Sequence, residues 1–324
     1  MMRDFATGLY PLSEPFKVGY LDVGEGHKIY YTQSGNKDGL PVIVFHGGPG
    51  SQSKPKHAQI FNPEKYHVIQ FDQRGCGESL PSGELENNST DRLLADAEKL
   101  REHLGFDKWH VYGSSWGSTL ALLYAQTYTS VSDSLVISAV FLADKFSSKW
   151  MNGEGQNYIY PAEYEEFRSV VLKGGEGCTR QAVIDGLLNG GQARQVEVSN
   201  AFSKWHLCGM NMEASDFDPE MMEEEDVLAG VTMNRLFAHY DQNDFFIEEG
   251  QILRDMDKLK NVQGFVVQGR FDMCCPPKAA FDVSKAWHGG TLVEVQAASH
   301  STGAPHFSQA IVNATDIIAD RFSK

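Results

Sequence analysis

Gly113-Ser114-Ser115-Trp116-Gly117 stands between a short predicted strand, Trp109–Tyr112, and a helix predicted over Thr119–Tyr128. It fits G-x-S-x-G, the pattern of a serine carried on a tight strand-to-helix turn. Glycines two residues either side of Ser115 remove the side chains that would clash in such a turn. The turn lifts the Ser115 hydroxyl above a sheet, and the helix N-terminus behind it favours developing negative charge. A bare G-x-S-x-G is common by chance; its position between strand and helix is what gives it weight.

Working outward, His46-Gly47-Gly48-Pro49-Gly50 follows another apolar run, Pro41–Phe45. Successive glycines let backbone N–H groups approach a bound carbonyl, as an oxyanion hole requires. The expected donors are the N–H groups of Gly48 and Trp116. Alone, the stretch would read as a plain Gly-Pro turn. His27–Gln33 loosely alternates apolar and polar residues, as a half-buried strand does. His67–Phe71 is a further apolar run, ending at Asp72-Gln73-Arg74-Gly75-Cys76-Gly77. Asp91–Leu104 carries leucine and alanine at helical spacing, and Gly105 closes it. Strands alternating with helices imply a parallel sheet covered on both faces.

A serine needs a base and an acid to orient that base, in the chain order serine, acid, histidine for this architecture. Asp272 follows the strand-like Gly264–Gly269, and His300 follows Leu292–Val295. Asp272 precedes His300 by 28 residues, room for one helix, Pro277–Trp287, and one strand. His306 is the rival base, near the start of a last helix. His27, His67 and His110 fall in or beside strands and His103 ends a helix, so all four read as structural.

The 324 residues are 41% hydrophobic and 22% charged, which excludes disorder, collagen and coiled coil. A net charge of −15 makes nucleic acid an unexpected partner. No apolar run approaches the ~20 residues of a membrane span. The first residues lack an apolar core of the kind that directs export. Five scattered cysteines show no metal-type spacing and read as reduced thiols in a cytoplasm. From Asp144 to Met256 strand-like runs almost vanish, so residues 144–256 read as a helical insertion in one α/β core. Within it Glu213–Asp226 holds eight acids and no base, most simply a solvated segment.

Together, Gly8–Pro11, the glycine loop at 46–50, Asp72–Gly77, Gly113–Leu120, Gly269–Met273 and His300-Ser301 resemble the prolyl iminopeptidase family of α/β-hydrolases, which are serine aminopeptidases. The resemblance spans nearly the whole chain. It implies an α/β-hydrolase core, residues 1–143 and 257–324, with a helical cap, 144–256. It further implies a triad of Ser115, Asp272 and His300, an oxyanion hole at Gly48 and Trp116, no metal or organic cofactor, and a short peptide or other small molecule as substrate.

The cap departs from the pattern. Members of the family hold the substrate's free N-terminus with two cap glutamates; the matching positions here carry His206 and Phe237. Ser138 stands where the family has an arginine, and Ala304-Pro305 replaces Glu-Pro. Trp150 is a third cap residue expected to touch substrate. An ammonium in a pocket needs a compensating anion, and each charge-assisted hydrogen bond contributes ~1.5–3 kcal/mol. Weak discrimination for a free amino terminus is therefore expected, unless the acidic segment folds inward to supply a carboxylate. The leading expectation is release of an N-terminal proline or similar residue. The alternatives are an esterase or amidase acting on an uncharged small acyl group, and a non-catalytic binding protein, which would need no triad.

Overall fold

The computed structural model describes residues 3–322 except 5, 214–216 and 302, so residues 214–216 of the acidic segment lie outside the described residues. Eight strands form one sheet: β1 (Lys17–Gly24), β2 (His27–Gly35), β3 (Leu40–Phe45), β4 (Tyr66–Phe71), β5 (Trp109–Ser114), β6 (Ser132–Ser138), β7 (Gln263–Gly269) and β8 (Gly290–Val295). Their spatial order is β1-β2-β4-β3-β5-β6-β7-β8. The pairs β1–β2 and β2–β4 are antiparallel and the rest are parallel.

The central strands alternate between two cores. Ile43 and Phe45 of β3 and Val266 of β7 face one; Val42, Val44, Phe265 and Val267 face the other. Both faces are apolar because helices cover both. The first face packs against α1 (Thr90–Leu104), α2 (Trp116–Thr127) and α9 (Pro277–Ala286). The second packs against α10 (Pro305–Phe322). Gly105 ends α1 in the left-handed conformation, with φ 77°, and its N–H is donated back into the last turn.

Between β6 and β7 come α3 (Lys145–Met151), α4 (Pro161–Val171), α5 (Thr179–Leu188), α6 (Gln192–Met210), α7 (Glu224–Gln242) and α8 (Gln251–Arg254). Phe167, Ile184, Phe202, Trp205 and Phe237 of these helices join the apolar cluster of α1 and α2 without a break. Trp205 stacks on Phe167 at 5.7 Å, and its indole N–H is donated to the Met151 carbonyl.

The strand expected at His27–Gln33 is β2, and it is joined in a hairpin to β1, for which the residues gave no expectation. Two residues, Glu25 and Gly26, both at positive φ, make its turn. That turn suits the right-handed twist of the flanking strands. Val18 and Tyr20 are exposed on this edge strand, so its alternation carries little hydrophobic signal.

Candidate active site

Ser115 sits at φ 59° and ψ −128°, between the end of β5 and the first residue of α2. A non-glycine residue held there stores on the order of 1–3 kcal/mol of backbone strain. Its surroundings enforce the turn. The Ser115 N–H is donated to the Ser138 carbonyl at 3.1 Å, and the Ser115 carbonyl accepts the Ser118 N–H at 2.8 Å. A methyl group on Gly113 would run into the Gly117 carbonyl, and one on Gly117 into the Phe45 carbonyl. The elbow therefore packs backbone against backbone.

The Ser115 hydroxyl lies 3.1 Å from His300 Nε2, and His300 Nδ1 lies 2.9 Å from Asp272 Oδ2. With Nδ1 donating to the carboxylate, Nε2 is left as acceptor for the serine proton. Asp272 is fully buried and takes three further bonds: Gln268 Nε2 at 3.1 Å, Cys274 N–H at 3.0 Å and Cys275 N–H at 2.7 Å. Burial disfavours charge on His300. The Asp272 carboxylate, with a contribution from Cys274, outweighs that and raises its pKa to about 9. His306 is exposed in the first turn of α10, away from this chain of bonds.

Gln73 ties three motifs together. Its side chain accepts the Trp116 indole N–H at 3.0 Å and donates to the His46 carbonyl at 2.9 Å. Its backbone N–H is donated to His46 Nε2 at 3.1 Å, while His46 Nδ1 donates to the Gly47 carbonyl at 2.8 Å. Burial holds the His46 pKa down, which suits an acceptor at Nε2. Gly48 stands at φ 119°, a region open to glycine. Trp116 opens α2, where backbone N–H groups have no partner within the helix. Sequence reasoning quoted Gln73 within its motif but assigned it no part; only the packing of the three loops reveals one.

One face of Ser115 opens on a cavity of about 420 Å³ closed over by α6 and α7, with His206, Phe237, Asn234, Met151 and Asp226 in its wall. A larger groove of about 760 Å³, lined by Lys145, Arg180 and Glu249, touches none of Ser115, Asp272 or His300. His206 lies against Phe202 at 4.0 Å and Phe237 at 5.4 Å, and its Nε2 is buried without a protein partner. Burial, and then the charge on His300, push the His206 pKa down to about 4, so the ring is neutral near pH 7. Trp150, expected to touch substrate, does not line this cavity. Its indole N–H is donated to the Met273 carbonyl at 2.8 Å, which turns the ring toward the Asp272 loop and leaves its neighbour Met151 facing the cavity. Ser138 lies fully buried beneath the elbow, bonded to the Tyr112 hydroxyl at 3.0 Å.

Residues 41–169 match a family described by the alpha/beta hydrolase fold. The chain is 37% identical over 310 residues to a proline iminopeptidase of Arabidopsis thaliana, covering 95% of this chain and 81% of that one. It is 36% identical over 315 residues to a proline iminopeptidase of Neisseria gonorrhoeae, covering 97% and 99%. A crystal structure of the proline iminopeptidase of Mycobacterium smegmatis shares the fold at a TM-score of 0.61 and 18% identity, covering 95% of this chain and all of that one. With the sheet, the elbow and these relatives in agreement, the chain belongs to the proline iminopeptidase family of α/β-hydrolases.

Proposed function

We propose that this hydrolase releases the N-terminal residue, proline or one like it, from short peptides through an acyl-enzyme. The unbroken hydrogen-bond chain from Ser115 through His300 to Asp272, opening on a cavity lined by α6 and α7, carries the reading. Ser115 attacks the carbonyl of the first residue while His300 Nε2 takes its proton. The N–H groups of Gly48 and Trp116 receive the developing oxyanion. His300 then gives the proton to the departing amine, and water, activated by the same ring, frees the acyl group. Asp272 keeps the imidazole in the tautomer that makes this possible.

Residues 144–256 act as the cap of a core formed by 1–143 and 257–324. Within the cap, Asp226 is the acid among the described residues of the cavity wall. A carboxylate there supports an ammonium on the bound residue, although His206 and Phe237 bring no charge and Lys54 adds a cation to the same wall. Those two residues favour the second reading, an uncharged acyl substrate; the relatives favour the first. The five cysteines are free thiols, which favours a cytoplasmic setting. No helix among the described residues is long and apolar enough to cross a membrane.

The test is Ser115→Ala. It should abolish both labelling by a serine-directed fluorophosphonate and hydrolysis of a proline arylamide, while the folded state persists. Undiminished labelling would move the nucleophile elsewhere, with Ser114 the first residue to examine.

A further inference from the structure

Beside Ser115 lie two adjacent thiols that hydrolysis does not use. Cys274 and Cys275 follow Asp272, and both of their backbone N–H groups bend toward its Oδ1. The loop curls accordingly, and both residues enter the cavity wall that Ser115 and His300 share. One Sγ from each cysteine and a ring nitrogen of His300 lie within 4.8 Å of one another. Among the described residues, no other three His, Cys, Asp or Glu side chains are grouped in this way.

We propose that Cys274, Cys275 and His300 form a binding site for a thiophilic divalent cation of the Zn²⁺ class, and that its occupation shuts the hydrolase off. Tetrahedral zinc holds thiolates at ~2.3 Å and imidazole at ~2.0–2.1 Å, so its donors stand about 3.6–3.8 Å apart. The three groups need draw together by no more than about 1 Å to meet that spacing. Cys274 is only half-buried.

Binding breaks two S–H bonds and, below a His300 pKa of about 9, the Nε2–H bond as well; it forms two metal–thiolate bonds and one metal–imidazole bond, and the protons pass to solvent. The two thiolates balance the charge of the dication. His300 Nδ1 is already engaged with Asp272, which leaves Nε2 as the ligand. A carboxylate orienting an imidazole whose other nitrogen faces the metal is the usual outer support of a zinc histidine. The same tautomer that serves as base for Ser115 thus presents its lone pair to the metal. One lone pair cannot hold both a cation and the serine proton, so metal binding and acyl transfer exclude each other. Mg²⁺ and Ca²⁺, which favour oxygen ligands, find little here.

The experiment uses the full chain with Co²⁺ as spectroscopic probe and Zn²⁺ as inhibitor. One equivalent of Co²⁺ should give the ultraviolet thiolate-to-cobalt charge-transfer band. Zn²⁺ should block both proline-arylamide hydrolysis and fluorophosphonate labelling, reversibly on adding a chelator, where Mg²⁺ does nothing. Losing even an outer partner of a metal ligand costs about 10–100-fold in affinity, so Cys274→Ser and Cys275→Ser should each raise the half-inhibitory Zn²⁺ concentration at least about tenfold relative to the unsubstituted chain. The double variant should also lose the cobalt band. Absence of that band in the unsubstituted chain, equal Zn²⁺ sensitivity in the folded double variant, or Zn²⁺ binding that leaves labelling intact would each overturn the proposal. The cobalt band requires no substrate, so it stands or falls independently of the peptidase reading.

Discussion

The loops at the ends of the strands and the helices that cover them treat polar groups in opposite ways. On the strand side, the polar groups around Ser115 are bonded to protein. Asp272 takes four hydrogen bonds, Gln73 makes three, and the buried Arg74 is bidentate to Asp96 at 2.6 and 2.8 Å, with further bonds to Glu25 and the Asn87 carbonyl. On the cap side, His206 Nε2 and Arg235 Nε are buried without a protein partner. Groups that must keep their geometry through a reaction are held in advance. His206, in the cavity wall, keeps its Nε2 hydrogen-bonding capacity unspent.

The comparison breaks if the strand-side network is dispensable. Asp272→Asn removes the acceptor that sets the His300 tautomer, and kcat for a proline arylamide should fall by about 10⁴ with the fold retained. A loss below tenfold would mean that another group orients the ring. Next in size is Arg74→Ala, which strands the Asp96 carboxylate in the core and should cost about 3–5 kcal/mol in denaturant unfolding. Arg74 also accepts the Asn88 amide at its carbonyl, and Asn88 receives the Tyr240 hydroxyl and faces His239 of α7. A loss under about 1 kcal/mol would show that the network is solvated rather than structural.

The cap side is sharpened by charge. One carboxylate at Asp226 should favour a free proline arylamide over its N-acetylated form by about 10–100-fold in kcat/KM, the worth of one charge-assisted hydrogen bond. Asp226→Asn should remove that preference, chiefly through KM. A preference of about 10³ or more that survives the substitution would reveal a second anion, and equal turnover of both forms would favour the uncharged acyl substrate. The smallest effect is on pH. The raised His300 pKa means that the ring is protonated, and useless as a base, below about 9. Activity should therefore climb with pH to a plateau, with kcat/KM half-maximal near pH 9. A midpoint near 6.5 would mean that Asp272 does not hold the imidazolium as the geometry implies.

Local chemistry made much of this protein legible from its residues alone. Ser115, Asp272 and His300 were candidates because each follows a strand, with His306 left as a rival base; the structure places the three within hydrogen-bond reach of one another. The alternation of apolar runs and helical spacing announced the layered sheet for the same reason: period and turn chemistry are properties of a few consecutive residues. Strand β1 escaped because an edge strand with exposed Val18 and Tyr20 buries too little to leave a pattern. Gln73, Trp150 and Asp226 were decided by tertiary structure. Whether a side chain braces a loop, fastens a helix or lines a cavity depends on how α3, α6 and α7 dock on loops up to two hundred residues away in sequence, and no local spacing encodes that docking.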